Sequence, residues 1–265
     1  MTPLFTPQHR GGSGPPLVLL HGITDTWRTW ELVLPMLERH HDVLAPTLAG
    51  HAGGPPLTGE DGGAALAGAV EAAMDAAGFG TAHIAGNSLG GYLALLLAAR
   101  GRARSVVALA PAGGWAEGDE SYQETLDFFL SMRDALETAA PHADAIVATP
   151  EGRRRATEFM VTNADHIPAE LLAHAMRGAA NCDGLLPLTE QARRSGWPLD
   201  PEQITCPVRV VWGTGDKILP WPSAAARYLD DWLPHADWVE LEGIGHCPQL
   251  DVPLEAAQLI LGFTR

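Results

Sequence analysis

Lysine is almost missing: Lys217 is the only one in 265 residues. With 17 basic side chains against 32 acidic ones, the formal net charge is −15, so there is no basic surface to displace the counterions of a phosphate backbone. Nucleic acid and anionic membrane are excluded as expected partners. Cysteine is scarce as well. Cys182, Cys206 and Cys247 are odd in number and lack metal-ligand spacing, which predicts free thiols, no metal site and a reducing, cytoplasmic location. No apolar run approaches the roughly 18 residues of a membrane span, and the opening MTPLFTPQHRGGSGPP lacks the charged-then-apolar order of a secretion signal. What the chain does have is hydrophobic residues, 46% of the total, enough for the core of one large domain or two small ones.

Short apolar stretches recur at 17–20, 42–45, 82–85, 105–110, 208–212 and 238–241, each bounded by Gly, Pro or polar residues. Their length and unbroken hydrophobicity predict strands buried on both faces. Between them lie helical patterns, among them Leu66, Val70 and Met74 at four-residue steps and the nearly all-apolar stretch 89–99. Strand alternating with helix implies a parallel sheet. The alternation stops after Ala110. From there to about 205 only helical faces appear, traced by Tyr122, Leu126, Phe129 and Leu130, then by Phe159 and Met160, then by 167–176. Pro198, Pro201 and Pro207 mark the return to strand. The pattern predicts a core in two parts, 1–111 and 204–265, around a helical insertion at 112–203.

The segment HIAGNSLGGYLALLLA, 83–98, sets one serine between glycines where a strand meets a helix. A side chain projected from so sharp a turn needs a strained backbone, typically about 1–3 kcal/mol. Side chains two positions away would collide across it, and Gly86 and Gly90 remove them. The amide of Leu89, first in the helix, then points to where a negative charge would develop, with the helix dipole assisting. Ser88 is the candidate nucleophile, and its hydroxyl needs a base held by an orienting group. Of 11 histidines, His246 follows a predicted strand in the Gly-rich loop EGIGHCPQLD. His83 lies inside a strand, His51 in a loop without a companion motif, and His21 where it would shape a turn. Asp216, in WGTGDKILP just past strand 208–212, sits within reach of the next loop.

Gly86-Asn87-Ser88-Leu89-Gly90, the early His21-Gly22, Asp216 and GHCPQLD, in the chain order Ser, Asp, His, together resemble the α/β-hydrolase fold superfamily from about residue 15 onward. The resemblance implies an α/β architecture: a mostly parallel central sheet flanked by helices, with a helical cap inserted after the sixth strand, where this chain has 112–203. It implies that the Ile23 amide is the second oxyanion donor beside Leu89, that no cofactor is needed, and that a serine esterase is the commonest activity. The family usually opens with a strand hairpin before the His-Gly strand; the 16 residues ahead of Leu17 leave little room for the first of the pair.

On this basis the expected function is a serine hydrolase cleaving an ester of a small, largely apolar molecule, with Ser88, Asp216 and His246 as catalytic triad. Trp115, Phe128 and Phe129 are candidate walls of an enclosed apolar pocket under the cap. Three alternatives use the same fold: a carbon–carbon bond hydrolase of ring-fission products, an acyltransferase and a non-enzymatic ligand receptor. The first group often carries Trp after the catalytic histidine, where this chain has Cys247. Epoxide hydrolases and dehalogenases of the fold place Asp where this chain has Ser88. Arg153, Arg154 and Arg155 point in different directions around a helix and are expected to be a solvated face.

Overall fold

The computed structural model describes residues 4–59 and 62–264. Seven strands, β1 Gln8–Gly12, β2 Pro16–Leu20, β3 Asp42–Pro46, β4 Ala82–Asn87, β5 Ala103–Leu109, β6 Val208–Gly213 and β7 Asp237–Leu241, form one sheet in the order β1-β3-β2-β4-β5-β6-β7. Among the described residues only β1 is antiparallel to its neighbour; every other pairing is parallel. The helices are α1 Leu34–Leu37, α2 Gly62–Ala76, α3 Leu89–Ala99, α4 Tyr122–Ala139, α5 Ala143–Val147, α6 Pro150–Thr157, α7 Ala169–Ala180, α8 Leu185–Ser195, α9 Pro248–Asp251 and α10 Pro253–Leu261.

The period of two along a strand sorts the core into layers. Val18 and Leu20 face Leu66, Val70 and Met74 of α2 and Leu93 of α3. Leu17 and Leu19 face the opposite layer, with Leu37 of α1 and Ala256 and Ile260 of α10. All four strand residues are fully buried, each worth about 1.5–3 kcal/mol relative to exposure. This two-sided burial explains why the central strands show as continuous apolar runs.

Two expectations need correction. The helices α4 to α8 interrupt the chain between β5 and β6, after the fifth strand and not the sixth. The cause is at the start of the described chain, where β1 stands alone in place of a hairpin. β1, QHRGG, escaped the apolar pattern because it is an edge strand with alternate residues exposed, tied to β3 by the Arg10–Asp42 ion pair at 2.8 Å. The second correction concerns Phe159 and Met160, which lie in a turn after α6 and not in a helix. The Met160 carbonyl accepts from the Cys247 amide at 2.9 Å, so this backbone is committed to the histidine loop.

Candidate active site

Only Ser88 separates β4 from α3. Its backbone stands at φ 55°, ψ −118°, a conformation typically costing about 1–3 kcal/mol and persisting only where surroundings overdetermine it. They do here: the Ser88 amide donates to Leu109 O at 2.9 Å, and its carbonyl accepts from the amides of Tyr92 and Ala112, each at 3.1 Å. A Cβ on Gly86 would lie 2.1 Å from Gly90 O, across the turn, while a Cβ on Gly90 would meet Leu20 O at 2.1 Å. The second glycine therefore admits the end of β2 and does not merely relieve the elbow. The His-Gly turn rests against the same spot, since a Cβ on Gly22 would stand 3.3 Å from the Ser88 Cβ.

His246 and Asp216 are brought together by loops after β7 and β6. His246 Nδ1 lies 2.7 Å from Asp216 Oδ2, and both side chains are buried. The other carboxylate oxygen, Oδ1, accepts from the amides of Ile218 and Leu219, each at 2.8 Å. An imidazole that donates Nδ1–H to this carboxylate keeps Nε2 as its basic nitrogen. Leu89, first residue of α3, has an amide without an intrahelical acceptor. Ile23 follows the Gly22 that abuts Ser88.

Ser88 opens onto two adjoining cavities. One, about 250 Å³, is walled by Trp115, Phe129 and α8; the other, about 140 Å³, by His246, Phe128, Phe129 and α7. The three aromatic residues singled out from the sequence all line this space. Arg155 also borders the smaller cavity.

Four residues escaped sequence reasoning. Asn87 donates from Nδ2 to His246 O at 2.9 Å and to Leu109 O at 3.1 Å, and its Oδ1 accepts from Gln249 Nε2 at 3.1 Å, so it ties the elbow to the histidine loop. Gln249, fully buried, reaches on to Thr29 Oγ1 at 3.2 Å. Asp251 accepts from the Gly245 amide at 2.8 Å, the Thr162 amide at 2.9 Å and the Asn163 amide at 3.0 Å, hooking the insertion to the loop that carries His246. Asp25 borders the smaller cavity. Burial raises its carboxyl from 3.8 to about 6, against the opposing hydrogen bonds from the Thr26 amide and the Thr29 hydroxyl. Asn87 and Asp251 stand inside the motifs that drew attention; no spacing rule singles them out.

Other titratable groups here are neutral packing elements. His21 bridges Gly22 O and the Leu48 amide, at 2.7 and 2.9 Å, and its burial holds its pKa well below the usual histidine value. Burial likewise pushes the Cys247 thiol well up, and its Sγ–H lies 3.5 Å from Asn87 Oδ1.

The family model of the α/β hydrolase fold matches residues 15–253. The chain is 33% identical over 201 residues to epoxide hydrolase EphH of Mycobacterium tuberculosis, covering 76% of this chain and 94% of that one. It is 31% identical over 269 residues to the pimeloyl-[acyl-carrier protein] methyl ester esterase of Aromatoleum aromaticum, covering 95% and 98%. The crystal structure of a bacterial membrane phospholipase A superposes with a TM-score of 0.74 at 25% identity, over 96% of this chain and 80% of that one. A match spanning the sheet, the elbow and the histidine loop, with hydrolases among the relatives, places this enzyme in the α/β-hydrolase fold family.

Proposed function

We propose that the enzyme cleaves a carboxylic ester of a small, largely apolar molecule through an acyl-enzyme on Ser88. The observation that carries this reading is the buried His246–Asp216 contact at 2.7 Å beside a cavity that also presents the strained Ser88. Nε2 of His246 takes the Ser88 hydroxyl proton as Oγ attacks the ester carbonyl, and Asp216 stabilises the imidazolium that forms. The oxyanion accepts from the amides of Ile23 and Leu89, where losing one donor typically costs about 2.7–4 kcal/mol of transition-state stabilisation. His246 then returns the proton to the departing alcohol, and water repeats the sequence to release the acid. Residues 112–203 act as the cap that encloses the substrate.

The epoxide chemistry named for the Mycobacterium relative does not transfer. Ser88 is not the carboxylate with which epoxide hydrolases of this fold attack. The esterase relative fits a serine nucleophile directly.

The test is labelling with a fluorophosphonate followed by peptide mass spectrometry, alongside hydrolysis of p-nitrophenyl esters. Label is expected on Ser88, and Ser88→Ala is expected to lose at least about 10⁴-fold in kcat/KM. Ester turnover near the wild-type rate in Ser88→Ala refutes the mechanism.

A further inference from the structure

The two cavities meeting at Ser88 are not equivalent. Ser88, Ile23 and Phe129 border both. Leu89 borders only the larger, and His246 and Asn87 border only the smaller. We infer that the larger cavity, under α8, holds the acyl part of the substrate, and that the smaller cavity, against α7, holds the departing alcohol. This assignment rests on the serine acyl-transfer reading above and adds the direction in which the substrate lies.

The argument is geometric. A tetrahedral intermediate on Ser88 Oγ has three remaining substituents: the oxyanion, the leaving oxygen and the acyl chain. The oxyanion must face the amides of Ile23 and Leu89. The leaving oxygen must receive its proton from the imidazole that took the serine proton, so it lies on the side of His246. The acyl chain takes the remaining direction, away from His246, into the cavity that His246 does not border.

Both cavities are walled largely by hydrocarbon, the smaller no less than the larger. Hydrocarbon dominates the larger cavity: Leu66, Leu126, Leu188, Trp115, Trp197 and Leu219. Its hydroxyls are turned to backbone acceptors, Tyr92 to Pro198 O at 2.6 Å, Thr125 to Ile218 O at 3.3 Å and Thr189 to Leu185 O at 2.9 Å. Its charged neighbour Arg100 is paired with Glu71 at 2.9 Å. Asp25, Arg28, Arg155 and His174 border the smaller cavity among apolar residues such as Met132 and Leu172. The cavity assigned to the acyl part, about 250 Å³, is the roomier of the two, against about 140 Å³ for the one assigned to the alcohol. The substrate class is then an ester whose acid part is apolar and bulkier than its alcohol.

Two ester series decide it. One varies the acyl group of p-nitrophenyl esters from acetyl to decanoyl; the other holds a butanoyl group and varies the alcohol from methyl to hexyl. In the larger cavity Ala192→Phe narrows the space and Leu188→Ala widens it; in the smaller, Ala175→Phe narrows and Met132→Ala widens. Ala192→Phe is expected to lower the octanoyl-to-acetyl ratio of kcat/KM about tenfold, and Leu188→Ala to move the optimum to longer acyl chains, with the hexyl-to-methyl ratio within about twofold of wild type. Ala175→Phe and Met132→Ala are expected to move the alcohol ratio instead. Each ratio is internal to one variant, and the opposed pair protects against one misfolded protein. Alcohol preference following Ala192→Phe and Leu188→Ala while acyl preference follows Ala175→Phe and Met132→Ala overturns the assignment and leaves the Ser88 mechanism standing. Unimpaired turnover in Ser88→Ala overturns the mechanism, and the assignment with it.

Discussion

The sheet and the helical insertion differ in what holds them. Strands β2 and β4 are buried on both faces almost throughout, and α3 behind them has nine buried residues, so it has no solvent face. In the insertion, α4 runs for 18 residues and buries only Leu126. The ion pairs Arg133–Glu137 and Arg154–Glu151 stand exposed to solvent screening. Its firmest anchorage is α7, where Leu171, Leu172 and Met176 pack with Cys247 and Leu250, and the Asp251 clamp on Thr162 and Asn163. Groups whose atoms must be placed within fractions of an ångström come from the ends of rigid strands, whereas the walls that decide what enters come largely from the softer layer.

The largest effect expected from breaking this contrast lies at the end of β6. Asp216→Asn keeps an acceptor for the Ile218 and Leu219 amides but offers the imidazole a donor, favouring the wrong tautomer. Activity in kcat/KM is expected to fall about 10⁴-fold with little change in thermal midpoint. A loss under tenfold would separate the chemistry from this carboxylate.

The next effect is on stability. Leu19→Ala, in the fully buried layer of β2, is expected to cost about 2–5 kcal/mol in a urea titration. Leu186→Ala, on α8 with 43% of its surface exposed, is expected to stay within about 0.5 kcal/mol. Equal costs would abolish the distinction between the two regions.

A smaller, pH-dependent effect belongs to Asp25. Its folded-state pKa of about 6 exceeds the ordinary 3.8, so between those values the folded protein binds a proton that the unfolded chain has released. Stability contributed by this group is therefore fully present below about pH 4, declines as pH rises to about 6, and is flat above. Asp25→Asn removes the titration. Its stability relative to wild type is expected to rise by about 3 kcal/mol across that interval, measured by urea midpoints at pH 4, 5, 6 and 7. A constant difference would mean that this carboxyl titrates normally.

The sequence by itself determined the parts set by local chemistry. Apolar runs marked β2 to β6, because residues buried on both faces leave few polar positions to interrupt the run. Gly86 and Gly90 marked the elbow, because the backbone approaches within 2.1 Å of where their Cβ atoms would be. Other features depend on pairings between distant residues. β1 became visible only through β3, since its own residues are polar and half exposed. Asn87, Gln249 and Asp251 acquired their roles from partners as far as 220 positions away, separations that no local spacing records. The division of the space around Ser88 into unequal cavities was decided by tertiary structure alone, because it depends on where α7 and α8 come to rest above the sheet, a position that the apolar periodicity of neither helix records.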